Sequence, residues 1–355
     1  VPPRGMNPEG TVLITGGTGE LGQALARHLV TQHGMRHLIL ASRRGMDARG
    51  ASEVLESLQK AGAVSVEIVA CDVSAYEELN KVLQEISLKR PLTGVFHLAG
   101  VLDDGVLTDL SSEQLQRVLA PKVDGAFNLH VLTEDYDLAA FVLFSSVAGA
   151  MGGAGQGNYA AANTFLDALA AYRRTKGLAG LSLGWGFWVQ AGGAGMTAHL
   201  GAAGLARMRR YGMVAMPVAE GLSLLDQALK RCERALLPVH FDFGRLKRME
   251  GDEAQLPPLW RVLVRPPLRK ASQGFSDGSA LAQRLSLLPE NQRHDVLTDI
   301  VCAEVATVLG LAGPSAVATD KPLKDLGLDS LMAVELRNRI ATLAQSNVPA
   351  TLAFD

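Results

Sequence analysis

Residues 11–22, with the sequence TVLITGGTGELG, give the strongest indication of the fold. Its first five residues, Thr11–Thr15, are apolar or β-branched and predict a buried strand. Glycines at a GxxGxxG spacing then let the backbone turn sharply and approach a diphosphate at the start of a helix. The residues predicted to form this dinucleotide-binding turn are Gly16, Gly17, Thr18, Gly19, Leu21 and Gly22. The alternative is a tight strand-to-helix turn with no ligand.

Outward from the turn, residues 11–240 alternate short apolar runs with longer amphipathic stretches, which is typical of a doubly wound α/β domain. The predicted strands are residues 11–15, 37–41, 64–70, 94–98, 139–145, 180–184 and 235–239. Helical spacing occurs in residues 21–30, 52–61, 113–132 and 158–176. We therefore expect one seven-stranded parallel sheet of the Rossmann type, with ligands at the carboxyl edge of its strands.

The composition narrows the function classes. The chain has 355 residues, 48% of them hydrophobic, which suffices for one large domain and a small one. A net charge of −2 gives no general attraction to nucleic acid or to an anionic membrane, and no apolar run reaches the roughly 18 residues of a membrane span. Cys71, Cys232 and Cys302 lack disulfide or metal-ligand spacing, so we predict no metal site and a cytoplasmic location.

The chain divides into four predicted segments. Residues 1–9 contain no initiating methionine and resemble an interdomain linker, so we expect the chain to be part of a longer one. Residues 10–249 form the α/β domain, and residues 250–280 are a tail and linker rich in Pro, Gly and Ser. Helical periodicity returns in residues 281–309 and 330–343, which predicts a small all-α bundle over residues 281–355.

The end of the second strand indicates which dinucleotide would bind. Ser42, Arg43 and Arg44 stand where an enzyme that uses NAD usually places an acidic residue for the ribose diol. Two guanidinium groups favour a 2′-phosphate and hence NADPH, with Arg43 the better candidate and Arg44 open to the alternative of a solvated loop. Asp72 either accepts a hydrogen bond from adenine or caps the next helix. Further candidate cofactor contacts at strand ends are Val73, Ala99 and Gly100.

Four polar side chains downstream form a candidate catalytic cluster. Tyr159 and Asn163 are spaced i, i+4 on one predicted helix, Ser146 follows the fifth strand, and Lys122 belongs to the preceding helix. A phenol, a hydroxyl and an amide can hold and protonate a carbonyl while a nicotinamide delivers hydride. A nearby ammonium is expected to lower the pKa of the tyrosine. Taken singly, a tyrosine or a lysine would more often be a packing residue, and the joint arrangement reverses that judgement.

These motifs resemble the catalytic half of a ketoreductase domain from a modular type I polyketide synthase. The matching stretches are GTVLITGGTG at residues 10–19, VFHLAG at 95–100, APKVDG at 120–125, FSSVAG at 144–149 and QGNYAAAN at 156–163. General short-chain dehydrogenases carry Tyr-x-x-x-Lys. Here Asn163 takes the lysine position and Lys122 lies upstream, an exchange typical of these ketoreductases. The resemblance implies a short-chain dehydrogenase-like fold and an NADPH-dependent oxidoreductase within a multifunctional synthase.

The resemblance also implies a role for each residue of the cluster. Tyr159 would protonate the β-keto oxygen, Ser146 would hydrogen-bond the same oxygen, Lys122 would tune the tyrosine, and Asn163 would support the proton relay. Ser145 is the alternative to Ser146, but the family's spacing to the tyrosine selects the second serine.

Other positions of the motif concern stereochemistry. The run Leu102, Asp103 and Asp104 resembles the fingerprint of B-type ketoreductases, which give the (3R) alcohol, whereas the alternative is an Asp-rich turn. Met151 stands where A-type enzymes are expected to carry tryptophan, which supports the B-type assignment. The segment 185–196, beginning with Trp185, combines aromatic residues with glycines and is predicted to be a lid over the substrate.

Residues 281–355 resemble an acyl carrier protein. GLDSLMAVELRNR at residues 327–339 matches the attachment motif of that family, and Ser330 would carry a covalent 4′-phosphopantetheine. The helix that follows suits a phosphodiester at its N-terminus. The alternative is that Asp329 or Ser330 is only an N-cap.

The resemblance implies partners on the same polypeptide. Upstream we expect ketosynthase, acyltransferase, dehydratase and enoylreductase domains and the structural half of the ketoreductase, with a homodimeric parent and a phosphopantetheinyl transferase as a separate partner. A fatty-acid or lipid synthase built from the same parts, or a catalytically silent scaffold of the same fold, would match the bulk of the pattern. The scaffold is the less favoured alternative because Tyr159, Lys122 and the glycines are all present.

Overall fold

A computed structural model describes residues 2–86, 88–153, 155–189, 212–244, 281, 285–311, 313–328, 330–344 and 348–349. The chain forms two compact units. The first comprises Val1–His199 with Met213–Phe241, and the second comprises Leu200–Gly212 with Asp242–Asp355. The predicted linker at residues 250–280 lies outside the described residues.

The first unit is organised around a seven-stranded parallel sheet. Its strands are β1 Thr11–Thr15, β2 His37–Ser42, β3 Ser65–Ala70, β4 Leu92–His97, β5 Ala140–Ser146, β6 Leu181–Trp185 and, after three short strands elsewhere, β10 Ala235–Leu236. Their order across the sheet is β3-β2-β1-β4-β5-β6-β10, and every pair is parallel. The predicted doubly wound Rossmann-type sheet is confirmed.

Helices cover both faces of this sheet. They are α1 Glu20–His33, α2 Ala51–Lys60, α3 Tyr76–Gln84, α4 Ser112–Leu119, α5 Gly125–Leu132, α6 Val147–Met151, α7 Gly157–Thr175 and α8 Val218–Leu229. The prediction of one continuous helix over residues 113–132 is wrong. A π-helical segment, Ala120–Asp124, separates α4 from α5. Pro121 has no backbone N–H to donate, so the regular hydrogen-bond ladder is interrupted there.

The core alternates across the central strand, as expected for a strand buried on both faces. Val12 and Ile14 pack with Leu25 of α1 on one face of the sheet. Leu13 packs with residues of α5 and α7, such as Leu166, on the other face. All five residues of β1 are buried, so the glycine-rich turn that follows β1 begins from a strand in the interior of the sheet.

Four two-residue strands form two small ribbons that the sequence did not predict. β7, Trp188–Val189, pairs with β9, Met216–Pro217. β8, Met213–Val214, pairs with β11, His240–Phe241. Two residues are too few to create a recognisable periodicity, so patterning cannot detect such strands.

The second unit contains the predicted pair of helices, α9 Glu290–Leu309 and α10 Ser330–Ala344. Residues 281, 285 and 286 are helical, but the predicted helical stretch of residues 281–309 is interrupted, because α9 begins after the extended Pro289. The core between α9 and α10 is formed by Val305, Val308, Leu328, Met332, Ala333 and Leu336. Among the described helices of the chain, none combines the length and the hydropathy needed to cross a membrane.

Candidate active site

The glycines of the turn after β1 have two different structural roles. A Cβ added at Gly16, Gly17 or Gly22 would come within 3.0 Å of neighbouring atoms, and Gly16 also has a φ of +68°. These three glycines are therefore required by packing and backbone conformation. At Gly19 the nearest atom to an added Cβ is a backbone oxygen at 3.3 Å, and φ is −73°. The fold alone makes little demand for glycine at this position.

The helix that leaves this turn offers an anion site. α1 has Gly19 as its N-cap and no side-chain hydrogen bond closes that end. Gln23 lies within the first turn and donates from Nε2 to the carbonyl of Thr18 at 2.8 Å. Backbone N–H groups and the helix dipole both favour a diphosphate here. The turn thus fits the pyrophosphate of a dinucleotide.

The loop after β2 presents two exposed guanidinium groups. Ser42 Oγ accepts a hydrogen bond from the backbone N–H of Gly45 at 3.2 Å, which orders the loop. Arg43 and Arg44 are exposed, and neither forms an ion pair with any residue that the structure describes. Both groups are therefore available to a phosphate.

Asp72 organises the loop after β3. Its Oδ1 accepts hydrogen bonds from the backbone N–H of Ser74 at 3.0 Å and from Ser74 Oγ at 2.6 Å. This geometry closes a local turn. The alternative that Asp72 caps the next helix is wrong, because the N-cap of α3 is Ala75. Val73 is buried, and its carbonyl accepts a hydrogen bond from Asn128 Nδ2 at 3.1 Å.

The loop after β4 passes directly over the side chain of Lys122. The backbone N–H of Ala99 donates to Thr15 Oγ1 at 3.3 Å, which ties this loop to β1. A Cβ added at Gly100 would lie 2.9 Å from Cε of Lys122. Glycine at position 100 therefore leaves the room through which the lysine reaches β5.

The structure brings the four predicted catalytic residues together. Ser146 ends β5 and begins α6, and its Oγ accepts a hydrogen bond from the backbone N–H of Ala148 at 3.2 Å. Tyr159 and Asn163 lie one turn apart on α7. Asn163 is fully buried and donates from Nδ2 to the backbone carbonyl of Tyr159 at 2.7 Å. Lys122 lies in the π-helical segment beside them.

Tyr159 is held as a neutral phenol. Burial raises its pKa above the ordinary value, hydrogen bonds with the Ser146 and Asn163 side chains act in the opposite direction, and the charge of Asp104 raises it further. The net pKa is raised because desolvation of the phenolate outweighs the two hydrogen bonds. That the Lys122 ammonium lowers this pKa stays a prediction. A neutral phenol is the protonation state that a proton donor requires.

Lys122 is buried beneath the tyrosine, with a side chain that is only 3% exposed. Its Nζ donates to the carbonyl of Phe144 at 3.0 Å and lies 5.5 Å from the centroid of the Tyr159 ring. Burial lowers the pKa of Lys122 to about 8, although the charge of Asp167 raises it. The π-helical segment explains this burial, since it redirects the chain between α4 and α5.

His97 adds a buried polar group that sequence reasoning missed. It ends β4, is fully buried, and its Nδ1 lies 2.7 Å from Thr15 Oγ1. Burial, followed by the charge of Lys122, lowers its pKa to about 3, so the ring is neutral. The sequence did contain a signal for this residue, namely a histidine at the end of an otherwise apolar strand.

The loop containing Leu102, Asp103 and Asp104 is fastened to the start of α7. Gln156 Nε2 donates to Asp104 Oδ2 at 2.9 Å, and Asn158 Nδ2 donates to the carbonyl of Asp103 at 2.8 Å. Asp103 also forms an ion pair with Arg117 of α4. Sequence reasoning gave Gln156 and Asn158 no role, although both lie in the QGNY stretch directly before the tyrosine.

Two further predicted residues lie next to the cluster. Met151 ends α6, the short helix that Ser146 begins. Trp185 ends β6 and is 5% exposed, with its ring 5.5 Å from that of Phe144 and 4.7 Å from that of Trp188. Trp185 therefore belongs to the core and not to a lid. Residues 190–196 of the predicted lid lie outside the described part of the chain.

Ser330 is the first residue of α10, which follows a left-handed Gly327 with a φ of +92°. The helix is held to α9 by the shared apolar core and by an ion pair between Glu304 and Arg339. The attachment serine is thus predicted at a helix N-terminus, where the dipole favours a phosphodiester. Asp329 lies outside the described residues.

Comparisons with known families agree with this arrangement. Residues 10–190 match the model of the KR domain, and residues 299–355 match that of the phosphopantetheine attachment site. Mycoketide-CoA synthase of Mycobacterium tuberculosis is 49% identical over 350 residues, which are 98% of this chain and 8% of the relative. Erythronolide synthase EryA2 of Saccharopolyspora erythraea is 46% identical over 353 residues, which are 99% of this chain and 10% of the relative.

Solved structures show the same fold. An A-type ketoreductase from a modular polyketide synthase aligns with a TM-score of 0.64 and 42% identity, covering 71% of this chain and 52% of the other. The first ketoreductase of the tylosin synthase aligns with a TM-score of 0.60 and 43% identity, covering 67% of this chain and 50% of the other. The chain spans a tenth or less of the two synthases named above and about half of each of these structures.

Proposed function

The chain belongs to the KR-domain family of modular polyketide synthases and carries a phosphopantetheine attachment site C-terminal to that domain. We therefore propose that it reduces a β-ketoacyl thioester to a β-hydroxyacyl thioester during chain extension. The observation that carries the proposal is the convergence of Tyr159, Ser146 and Lys122 at the carboxyl edge of the sheet. Ligands of doubly wound sheets bind at this edge.

We propose NADPH as the cofactor. Gly19 supports a dinucleotide, since it lies at the N-terminus of α1 and lacks a side chain that would keep a diphosphate from the backbone. The exposed Arg43 and Arg44 supply positive charge for the 2′-phosphate. NADPH, when bound, supplies the hydride that reaches the keto carbon.

The residues of the cluster manage the keto oxygen. Tyr159 donates the proton from its phenol, whose raised pKa keeps it protonated at neutral pH. Ser146 donates a hydrogen bond to the same oxygen and polarises the carbonyl. Lys122 places positive charge beneath the ring as negative charge develops on the phenol. Asn163 fixes the turn of α7 that carries the tyrosine.

We propose that the product is the (3R) alcohol. The run Leu102, Asp103 and Asp104 is anchored beside Tyr159 by Gln156 and Asn158, so it can determine the side from which the substrate enters. The solved relative of A-type is similar in fold, and fold similarity does not determine the enantiomer.

The substrate is proposed to be tethered through 4′-phosphopantetheine on Ser330 or on its counterpart in a partner chain. The start of α10 offers the helix N-terminus that a phosphodiester favours. A phosphopantetheinyl transferase would install the group. We also propose that ketosynthase, acyltransferase, dehydratase and enoylreductase domains and the structural half of the ketoreductase lie upstream. The parent is proposed to be homodimeric and cytoplasmic. Large synthases as relatives are in keeping with this.

The first test is chiral chromatography of the product formed from a β-ketoacyl thioester and NADPH by the parent module. We expect the (3R) alcohol, and we expect Tyr159→Phe to lower kcat by about 10²–10⁴-fold. A (3S) product would overturn the stereochemical proposal alone. Full activity in Tyr159→Phe would overturn the assignment of the proton donor, and no turnover by the intact module would favour a silent scaffold.

A further inference from the structure

Two imidazoles and one carboxylate converge on the side of the first unit where α1 and α8 lie. His28 and His33 belong to α1, and Asp226 belongs to α8. The Nε2 atoms of His28 and His33 lie 2.9 and 2.7 Å from the same oxygen, Asp226 Oδ1. One ligand atom of each residue lies within 4.8 Å of those of the other two. The sequence predicted no metal here, because Asp226 follows His28 by 198 residues.

The three groups are placed where an ion from solution can reach them. The side chains of His28, His33 and Asp226 are 13%, 26% and 28% exposed. Partial burial shields a bound charge from water, while the remaining exposure leaves an entry path and room for a water ligand. The two imidazole rings meet edge to face, with centroids 5.6 Å apart and an interplanar angle of 61°.

We propose that His28, His33 and Asp226 form a structural site for a divalent transition metal ion, with Zn²⁺ as the occupant. Two imidazole nitrogens and a carboxylate oxygen are a common zinc ligand set, and a water molecule completes four-coordination. Zinc bonds of about 2.0–2.1 Å hold tetrahedral ligand atoms about 3.3–3.4 Å apart, so each nitrogen moves away from the oxygen by roughly half an ångström. Side-chain rotation suffices for this change.

The protons can be accounted for. Without metal, Asp226 Oδ1 accepts a hydrogen bond from Nε2 of each ring, so both Nε2 atoms carry a proton. Metal binding displaces these two protons to solvent, which returns one to Nδ1 of any ring that would otherwise be left without a proton, and the Nε2 lone pairs and the carboxylate coordinate the ion. No oxidant or reductant is needed.

A metal ion at this site would stabilise the cofactor turn indirectly, through α1. His33 is the last residue of α1, and the N-terminus of that helix meets the diphosphate site. Fourteen residues of helix span about 21 Å, so the ion takes no part in the chemistry at Tyr159. Its effect is to cross-link α1 to α8, two elements far apart in sequence.

The test uses the full chain after removal of metal by chelator and dialysis. Isothermal titration with Zn²⁺ is expected to show one equivalent bound, and Co²⁺ is expected to give the visible d–d bands of a tetrahedral site. Cys232→Ser, which removes the exposed thiol, should retain that equivalent. His240→Gln is the matched control, because His240 is half exposed and lies near a single carboxylate, that of Glu220.

Asp226→Asn separates metal binding from simple hydrogen bonding. The amide oxygen still accepts from both rings, so the melting temperature without metal should stay close to that of the wild type. Zinc affinity should fall at least tenfold, as it should in His33→Gln. The proposal is overturned if the Cys232→Ser protein binds no stoichiometric Zn²⁺, or if Asp226→Asn binds it as tightly as the wild type. Either result would leave the three groups as a hydrogen-bonded contact between two helices.

Discussion

The four glycines of the cofactor turn differ in why glycine is needed at each position. Gly16, Gly17 and Gly22 have no room for a Cβ, whereas Gly19 has ordinary backbone angles and a single close contact, with Gly16 O at 3.3 Å, which a small shift relieves. Fold and ligand binding therefore place separate demands on the same motif. Substitution can distinguish the two demands.

Replacing Gly19 by alanine should weaken NADPH binding without unfolding the protein. The φ and ψ of Gly19 suit alanine, so stability should change by about 1 kcal/mol or less. The new methyl group would occupy the approach of the diphosphate, and the NADPH dissociation constant measured by fluorescence should rise at least tenfold. Gly22→Ala is the contrasting variant, because its Cβ would lie 2.5 Å from Gly16 O and should cost several kcal/mol, measured by thermal unfolding. Unchanged NADPH affinity in Gly19→Ala would contradict this assignment.

The buried lysine predicts an early decline of activity at high pH. Burial lowers the Lys122 pKa to about 8, so the ammonium is present below that pH and lost above it. Reduction, followed as kcat/KM, should fall as pH rises through about 8, whereas an ordinary lysine would keep its charge to about pH 10. Lys122→Gln should be much less active and should lose this limb of the profile. An activity that stays level to about pH 10 in the wild type would show that the charge is not used.

For single residues, the sequence predicted where the catalytic side chains lie better than it predicted their pKa values. Ser146 and Tyr159 could be placed because a strand end and an i, i+4 helix pair are readable from spacing. The direction of the Tyr159 pKa could not be predicted, because it depends on how deeply the ring is buried. Burial of one side chain is a property of the whole packed unit.

Among the elements, the segment between α4 and α5 has the largest consequence for the site. Apolar spacing continues through residues 113–132, and so the pattern predicts one helix. The π-helical segment at Ala120–Asp124 adds a local bulge that carries Lys122 into the interior. Hydrophobic periodicity reports which face of a helix is buried, and it is insensitive to a single wide turn.

The loop that precedes α4 should influence stereochemistry through its attachment to α7. Gln156→Ala removes the hydrogen bond from Nε2 to Asp104 Oδ2 and weakens the attachment of this loop. The hydrogen bonds from Asn158 to Asp103 and from Gly105 to Gly155 remain. We expect a loss of overall stability of about 1 kcal/mol and a measurable fraction of the other enantiomer in chiral chromatography. Arg117→Ala, which removes only the ion pair with Asp103, should leave the product composition unchanged. Identical enantiomeric purity in Gln156→Ala and the wild type would exclude a role for this contact.

Across the chain, the sequence predicted all seven strands of the parallel sheet, most easily the inner ones, because parallel strands buried on both faces are continuous apolar runs. Most strand ends shifted by one or two residues, as for β4, predicted at residues 94–98 and found at Leu92–His97. The edge strand β10, predicted at residues 235–239, is shorter, at Ala235–Leu236. The ribbons of β7, β8, β9 and β11 were missed because they are stabilised by tertiary contact and not by their own pattern.

Because a reductase and a carrier are joined in one chain, we expect replacement of Ser330 to affect a tethered substrate and not a free one. Ser330→Ala should abolish the mass gain caused by a phosphopantetheinyl transferase, measured by intact-protein mass spectrometry. Reduction of a free thioester should remain unchanged, because α10 lies in the second unit and the cluster around Tyr159 lies in the first. Ser315→Ala, at an exposed serine of the turn Pro314–Ala316, is the control and should be modified normally. Modification of Ser330→Ala would place the attachment site elsewhere.

The order of the sheet has a consequence during synthesis on the ribosome. β6 ends at Trp185, but its outer neighbour β10 begins only at Ala235, about 50 residues later. At roughly 5–20 residues per second the outer edge of β6 stays without its partner for about 3–10 seconds. An open strand edge can pair with any other chain emerging nearby. Neighbouring ribosomes on one messenger are therefore a source of misassembly for this domain, and slow translation between these two strands would prolong the exposure.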